Sequence, residues 1–220
     1  YKRQSVNSLN RTAAIGGDQQ LEFTAKGTYT YYISEDSGTI SGITYDTTVY
    51  KVVVNVTDDG NGKLSGETHY YKSNGENGYS ADAEQDNVAT FVNKYSAKEV
   101  TVTLNATKKL NVQVGTRTLK ENEFSFNLFE KTNGTVSDNP IDTAQNDADG
   151  NVTFTLNFEK AVGEKTYVIS EVNNNLGGIE YDTRAYEVTF EVKDDGEGKL
   201  VASNPVYKLN DEAVGSALFV

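Results

Sequence analysis

One stretch of this sequence is written twice. Residues 33–64, ISEDSGTISGITYDTTVYKVVVNVTDDGNGKL, lie without a gap on residues 169–200, ISEVNNNLGGIEYDTRAYEVTFEVKDDGEGKL, at a spacing of 136 residues, and more than half of the positions are identical. An ungapped match of that length makes the chain two copies of one domain. A length of 220 residues permits one large or two ordinary domains, and the repeat decides for two. The copies are expected to divide at the polar stretch Ser96-Ala97-Lys98-Glu99, giving residues 1–97 and 98–220.

Inside each copy the hydrophobic period is two residues, which is the period of half-buried strands. Tyr50, Val52, Val54 and Val56 share one face, with Lys51, Asn55 and Thr57 on the other. Tyr186, Val188, Phe190 and Val192 repeat the pattern against Glu187, Thr189, Glu191 and Lys193. Each run ends in a loop, Asp58-Asp59-Gly60-Asn61-Gly62 and Asp194-Asp195-Gly196-Glu197-Gly198, whose residues tolerate positive φ and so predict hairpins. Further strands are expected over Phe124 to Phe129, Val152 to Phe158 and Tyr167 to Glu171. Short strands separated by turn signals, with no helical period, predict an all-β chain of two tandem immunoglobulin-like antiparallel β-sandwich domains.

Composition then removes whole classes of function. The chain has no cysteine, so it can form neither a disulfide framework, nor a thiolate zinc site, nor a cysteine nucleophile. Any covalent staple must come from other residues. A formal charge of −12 without clustered Lys or Arg argues against nucleic acid as a partner. No apolar run approaches the length of a membrane span, and neither a signal peptide nor a sorting signal is seen, which predicts an internal piece of a larger protein. His69 is the only histidine and there is no G-x-S-x-G elbow, so a histidine-based triad is not supported. The segment Gln145 to Gly150 lacks the first acidic ligand of an EF-hand loop, and Leu156 stands where its last glutamate belongs. No cofactor or metal is called for.

The informative residues are ionisable or amide side chains that share a face with the core, where burial without a partner is costly. In the run Val100 to Leu110, Lys108 lies on the face of Val102, Leu104 and Ala106, and Lys109 on the other. Glu171 shares its face with Tyr167 and Ile169, as Glu35 does with Tyr31 and Ile33. Asn93 falls with Phe91 and Tyr95 if that strand is regular. Desolvation disfavours the charged forms of a lysine and a carboxyl alike. A neutral amine could then attack the asparagine amide carbon while a protonated carboxyl polarises it, releasing ammonia and leaving an amide bond. Such a reaction runs once per domain, so it is maturation rather than enzymatic turnover.

The Thr107-Lys108-Lys109-Leu110 strand, Phe124 to Leu128, Asp147 to Phe154, Tyr167-Val168-Ile169-Ser170-Glu171, Gly178-Ile179-Glu180-Tyr181-Asp182 and Phe91-Val92-Asn93 together resemble the pilin isopeptide-linkage domains of Gram-positive pili, relatives of the B-type repeats of collagen adhesins. The resemblance spans nearly the whole chain. It implies that Lys108 and Asn93 are cross-linking residues, that Glu35 and Glu171 are the catalytic proton shuttles of bond formation, and that the protein lies on the surface of a Gram-positive cell. Neither copy holds a complete set. The lysine strand of the first copy would precede Tyr1, and the asparagine of the second would follow Val220. That is expected of a window cut from a longer repeat array, or of strands supplied by a neighbouring chain. Lys2 could replace the first lysine, but nothing around it resembles the Lys108 strand.

The function implied is a structural shaft, in a pilus or the stalk of a wall-anchored protein, with like domains or neighbouring subunits as partners. A second reading is an adhesin domain gripping a host protein or glycan through an elaborated loop, for which residues 69–87 are the best candidate. A third is an accessory β-domain of a secreted polysaccharide hydrolase, its catalytic carboxyls lying outside this chain.

Overall fold

A computed structural model of the chain describes residues 2–6, 11–15, 21–73, 79–85 and 88–220. No helix occurs among them, and the chain falls into two compact units, Tyr1–Ser96 and Ala97–Val220.

The second unit is the fuller of the two. Its strands are β9 (Val100–Lys108), β10 (Ser125–Thr132), β11 (Thr135–Val136), β12 (Asp142–Gln145), β13 (Asn151–Phe158), β14 (Gly163–Glu171), β15 (Ala185–Asp194), β16 (Leu200–Ala202), β17 (Val206–Leu209), β18 (Glu212–Val214) and β19 (Ala217–Phe219). An eight-stranded sheet follows the path β11-β10-β14-β15-β17-β18, with β12 added on β10 and β16 on β15, and a three-stranded sheet has the order β13-β9-β19. Between them lies one core. Val102, Leu104, Ala106, Val152, Phe154 and Phe219 come from the small sheet, and Phe126, Leu128, Ile169, Tyr186, Val188, Phe190 and Val192 from the large one. Alternation at period two puts those residues inward on every strand, and two inner faces packed in this way are a β-sandwich. One strand pair among the described residues departs from the antiparallel expectation: β19 runs parallel to β9, with Phe219 opposite Lys108. The last strand therefore enters the small sheet beside the lysine.

The first unit repeats the larger sheet. Its strands are β1 (Lys2–Val6), β2 (Arg11–Ile15), β3 (Gly27–Glu35), β4 (Ile43–Thr44), β5 (Val49–Asp58), β6 (Leu64–Ser73), β7 (Tyr79–Gln85) and β8 (Lys94–Tyr95). Six of them form a sheet of order β2-β1-β3-β5-β6-β7, and β4 pairs with β8. Tyr31, Val52, Val54 and Val56 make its buried cluster. The repeated Asp-Gly loops are hairpin turns in both units: Gly60 and Gly62 take φ of 76° and 86°, and Gly196 and Gly198 take 75° and 87°. Only glycine adopts that region at little cost. The stretch expected to be an elaborated loop instead continues β6 and adds β7 at the sheet edge, and its residues 74–78 and 86–87 fall outside those described.

Candidate functional site

Lys108 closes β9 on the inner face of the small sheet, and Glu171 closes β14 on the inner face of the large one. The lysine is 1 % exposed and the glutamate side chain 0 % exposed. Lys108 Nζ lies 2.8 Å from Glu171 Oε1 and donates a hydrogen bond of 3.1 Å to Oε2. The Oε1 contact is ionic without hydrogen-bond alignment, which leaves that oxygen a buried acceptor with no aligned donor. Oε2 also accepts the backbone N–H of Asp182 at 2.8 Å. Nζ stands 4.6 Å from the centre of the Phe124 ring, so it has an aromatic face and the Glu171 carboxyl group as neighbours. A cavity of about 650 Å³ opens beside the lysine, lined in part by Leu110, Ile179, Tyr181, Asp182 and Val220.

The first unit holds the complementary half. Asn93 Nδ2 donates to Glu35 Oε1 at 2.8 Å, and Asn93 Oδ1 accepts the backbone N–H of Asp46 at 2.8 Å. Glu35 Oε2 is buried with no hydrogen-bond partner among the described residues. Phe91, Val92 and Asn93 lie outside the strands, contrary to the regular strand expected from parity, and Asn93 is exposed. The reason is local. In the second unit the corresponding segment, β19, is covered by its pairing with β9, and no strand like β9 lies beside Asn93 among the described residues. β1 is not its substitute. It pairs with β3 with Lys2 opposite Glu35, the position that Phe126 of β10 holds opposite Glu171.

The two glutamates sit at equivalent repeat positions, one holding a lysine and the other an asparagine amide. The expected lysine and asparagine each sit on one of the two expected glutamates, as two pairs in separate units and not as one triad.

Sequence reasoning missed two supports. The first is the aspartate of the repeated Tyr-Asp-Thr, Asp46 and Asp182. Asp46 Oδ2 accepts the N–H of Val92 and Oδ1 that of Thr48, both at 2.8 Å. Asp182 Oδ2 accepts the N–H of Val220 at 2.8 Å and Oδ1 that of Arg184 at 3.0 Å, with the Arg184 guanidinium paired to the same carboxylate. The second is the tyrosine opening the long strand. Tyr50 Oη donates to Thr90 O at 3.0 Å, and Tyr186 Oη to Leu218 O at 2.6 Å. Each ring also meets a phenylalanine edge-on, Phe91 at 5.4 Å and Phe219 at 5.0 Å. Identity of Tyr-Asp-Thr and of this tyrosine in both copies was the available signal.

The carboxyl of Asp46 is held down to about 2, by the Thr48 hydroxyl first and then by the N–H groups of Val92 and Thr48. For Asp182, burial pushes upward, but the Arg184 side chain and the N–H groups of Arg184 and Val220 outweigh it and leave the carboxyl at about 2. Both values lie below the ordinary 3.8, so the stabilisation is complete above about pH 4 and lost as pH falls through about 2. In an acid titration, the Val92 and Val220 amide resonances are expected to hold their positions to about pH 3 and move together below it. Movement centred near pH 4 would mean that neither carboxyl is held down.

Two tandem β units with polar pairs set between or beside their sheets make a structural repeat module. The chain belongs to the family described as "FctA: Spy0128-like isopeptide containing domain", whose model matches residues 3–96 and 104–219. This is a pilin-type structural family and not an enzyme class. Among solved structures, the major pilin from Streptococcus pyogenes is similar at 17 % identity, covering 99 % of this chain and 88 % of that one, with a TM-score of 0.34. The major pilin T3.2 from Streptococcus pyogenes serotype GAS13637 is similar at 21 % identity, covering 90 % and 68 %, with a TM-score of 0.28. No match is found among curated proteins.

Proposed function

We propose that this chain is part of the shaft of a Gram-positive pilus or wall-anchored stalk, on the outside of the cell, and that its units are stapled by Lys–Asn isopeptide bonds. The frame is two domains, residues 1–97 and 98–220, with like domains or neighbouring subunits as partners. The observation that carries the reading is the pair of half-sites: Lys108 on Glu171 at 2.8 Å, and Asn93 on Glu35 at 2.8 Å, at equivalent carboxylates. Laid on one another, they give the amine, the carboxyl and the amide that the reaction requires. One proton moved from Nζ to Glu171 leaves a nucleophilic amine and a carboxyl able to donate. Loss of ammonia then joins two strands by a bond that pulling cannot slip. In a chain without cysteine, that fills the mechanical place of a disulfide.

Intact mass is the test, on the protein carrying its native flanking sequence. The parent is expected to weigh one ammonia less per complete domain, and Lys108→Ala or Glu171→Ala to restore that ammonia for the second domain alone. A parent at its full calculated mass would sink the cross-link.

A further inference from the structure

We infer that the aspartate of the repeated Tyr-Asp-Thr, Asp46 in the first unit and Asp182 in the second, is a positioning residue for the amide that is attacked. Its carboxylate fixes the segment bearing the asparagine, and its own backbone N–H is the donor that receives the developing oxyanion. This rests on the cross-link reading above.

The geometry in the first unit orients the amide without ambiguity. The Asp46 N–H can only donate to Oδ1, which turns Nδ2 toward the Glu35 carboxyl as donor. Asp46 N–H at 2.8 Å and Glu35 Oε1 at 2.8 Å therefore hold the two ends of the Asn93 amide in one orientation. The faces of the amide are left for a nucleophile. When an amine adds to Cγ, the C=O electron pair moves onto Oδ1, which already faces the Asp46 N–H. Collapse expels Nδ2 as ammonia. The carboxyl takes one proton from the attacking nitrogen and gives one to Nδ2, so it ends as it began and the balance is amine plus amide giving substituted amide plus ammonia. A donor preset at the oxygen that gains charge is the arrangement that lowers such barriers most.

The second unit carries the same device. Asp182 still grips the backbone of Val220 through Oδ2, as Asp46 grips Val92. Its N–H donates to Glu171 Oε2 at 2.8 Å. The donor is held on the shuttle carboxylate and passes to Oδ1 when the amide is present. The clamp is the same in both units, with the same carboxylate oxygen on the corresponding backbone position.

The test has two arms. In the chain as it stands, Asn93→Ala is expected to shift the Asp46 amide proton upfield and to speed its exchange at least tenfold, while the Asp182 amide stays unmoved as internal control. Conversely, Asp46→Asn, which keeps one acceptor oxygen where two N–H groups need two, is expected to return the Asn93 side-chain amide resonances to those of a free asparagine. With native flanking sequence, Asp182→Asn is expected to slow ammonia loss from the second unit on the order of 100-fold, the usual result of misplacing reacting groups by about 1 Å. A merely structural aspartate would lower the melting temperature and leave that rate alone. An Asp46 amide indifferent to Asn93→Ala overturns the inference, and so does cross-linking of Asp182→Asn at the parent rate. A parent that loses no ammonia sinks the cross-link reading instead, and the amide signals tell the two failures apart because they need no bond to form.

Discussion

Replacing Glu171 with alanine is expected to destabilise the second unit by about 3–5 kcal/mol wherever Lys108 carries no covalent bond. The cause is the charge left behind. Lys108 is 1 % exposed and its carboxylate partner 0 % exposed, so each is taken out of water and depends on the other for compensation. The Phe124 ring at 4.6 Å offsets only part of that loss. Lys108→Ala is expected to cost a similar amount by stranding Glu171, whose remaining donor is the Asp182 N–H. The double variant Lys108→Met with Glu171→Leu should behave differently, because a buried ion pair replaced by apolar side chains of similar volume is typically neutral or stabilising by about 1–4 kcal/mol. Urea unfolding followed at the Val188 amide reads all three variants. A cost under about 1 kcal/mol for Glu171→Ala would show that water reaches the pair, and would remove the physical reason for a desolvated amine there. A stable double variant would show that the pair does not stabilise the fold, which leaves a chemical role as its use.

Much of this was legible from the repeat and the parity of its strands. Lys108 alternates with Leu104 and Ala106 on β9, and a strand offers only two faces, so its inward position follows once the strand is granted. The same logic placed Tyr50 to Val56 and Tyr186 to Val192. Parity failed at Asn93 because it assumes a regular strand, and among the described residues Phe91 to Asn93 lack the neighbouring strand that β9 provides for Phe219. The parallel entry of β19 was equally out of reach, since alternation is the same for either direction of pairing. Asp46 and Asp182 escaped for another reason. They act through backbone N–H groups 38 and 46 residues away in the chain, so the repeated Tyr-Asp-Thr marked them as common to both copies without showing what they hold. Asn146 is a similar case. It is fully buried, and it accepts from Phe124 N while donating to Lys120 O and Asp147 O, each at 2.8 Å.

Gly150→Ala is expected to cost the second unit about 3–5 kcal/mol, combining strained backbone with overpacking against atoms that cannot yield. Gly150 has φ of 86°, and a Cβ built on it would stand 2.1 Å from the carbonyl oxygen of Lys108 and 3.1 Å from Leu119 Cδ2. The leucine can rotate away, but the carbonyl is backbone. Lys108 N also donates to Gly150 O at 2.7 Å, so the turn before β13 and the end of β9 are tied together on both sides of the contact. Gly163→Ala separates the two causes. Its φ is 70° and a Cβ there meets nothing within 4 Å, so it should show the conformational penalty alone, about 1–2 kcal/mol. If both variants lose the same stability in urea, the close approach to Lys108 is unimportant. If Gly150→Ala loses clearly more, the turn braces the strand end that carries the amine. Pushing the Lys108 carbonyl aside also moves the root of a side chain whose Nζ must stay 2.8 Å from Glu171. Cross-linking in the flanked protein should therefore fall further in Gly150→Ala than in Gly163→Ala, even in dilute buffer where both remain folded.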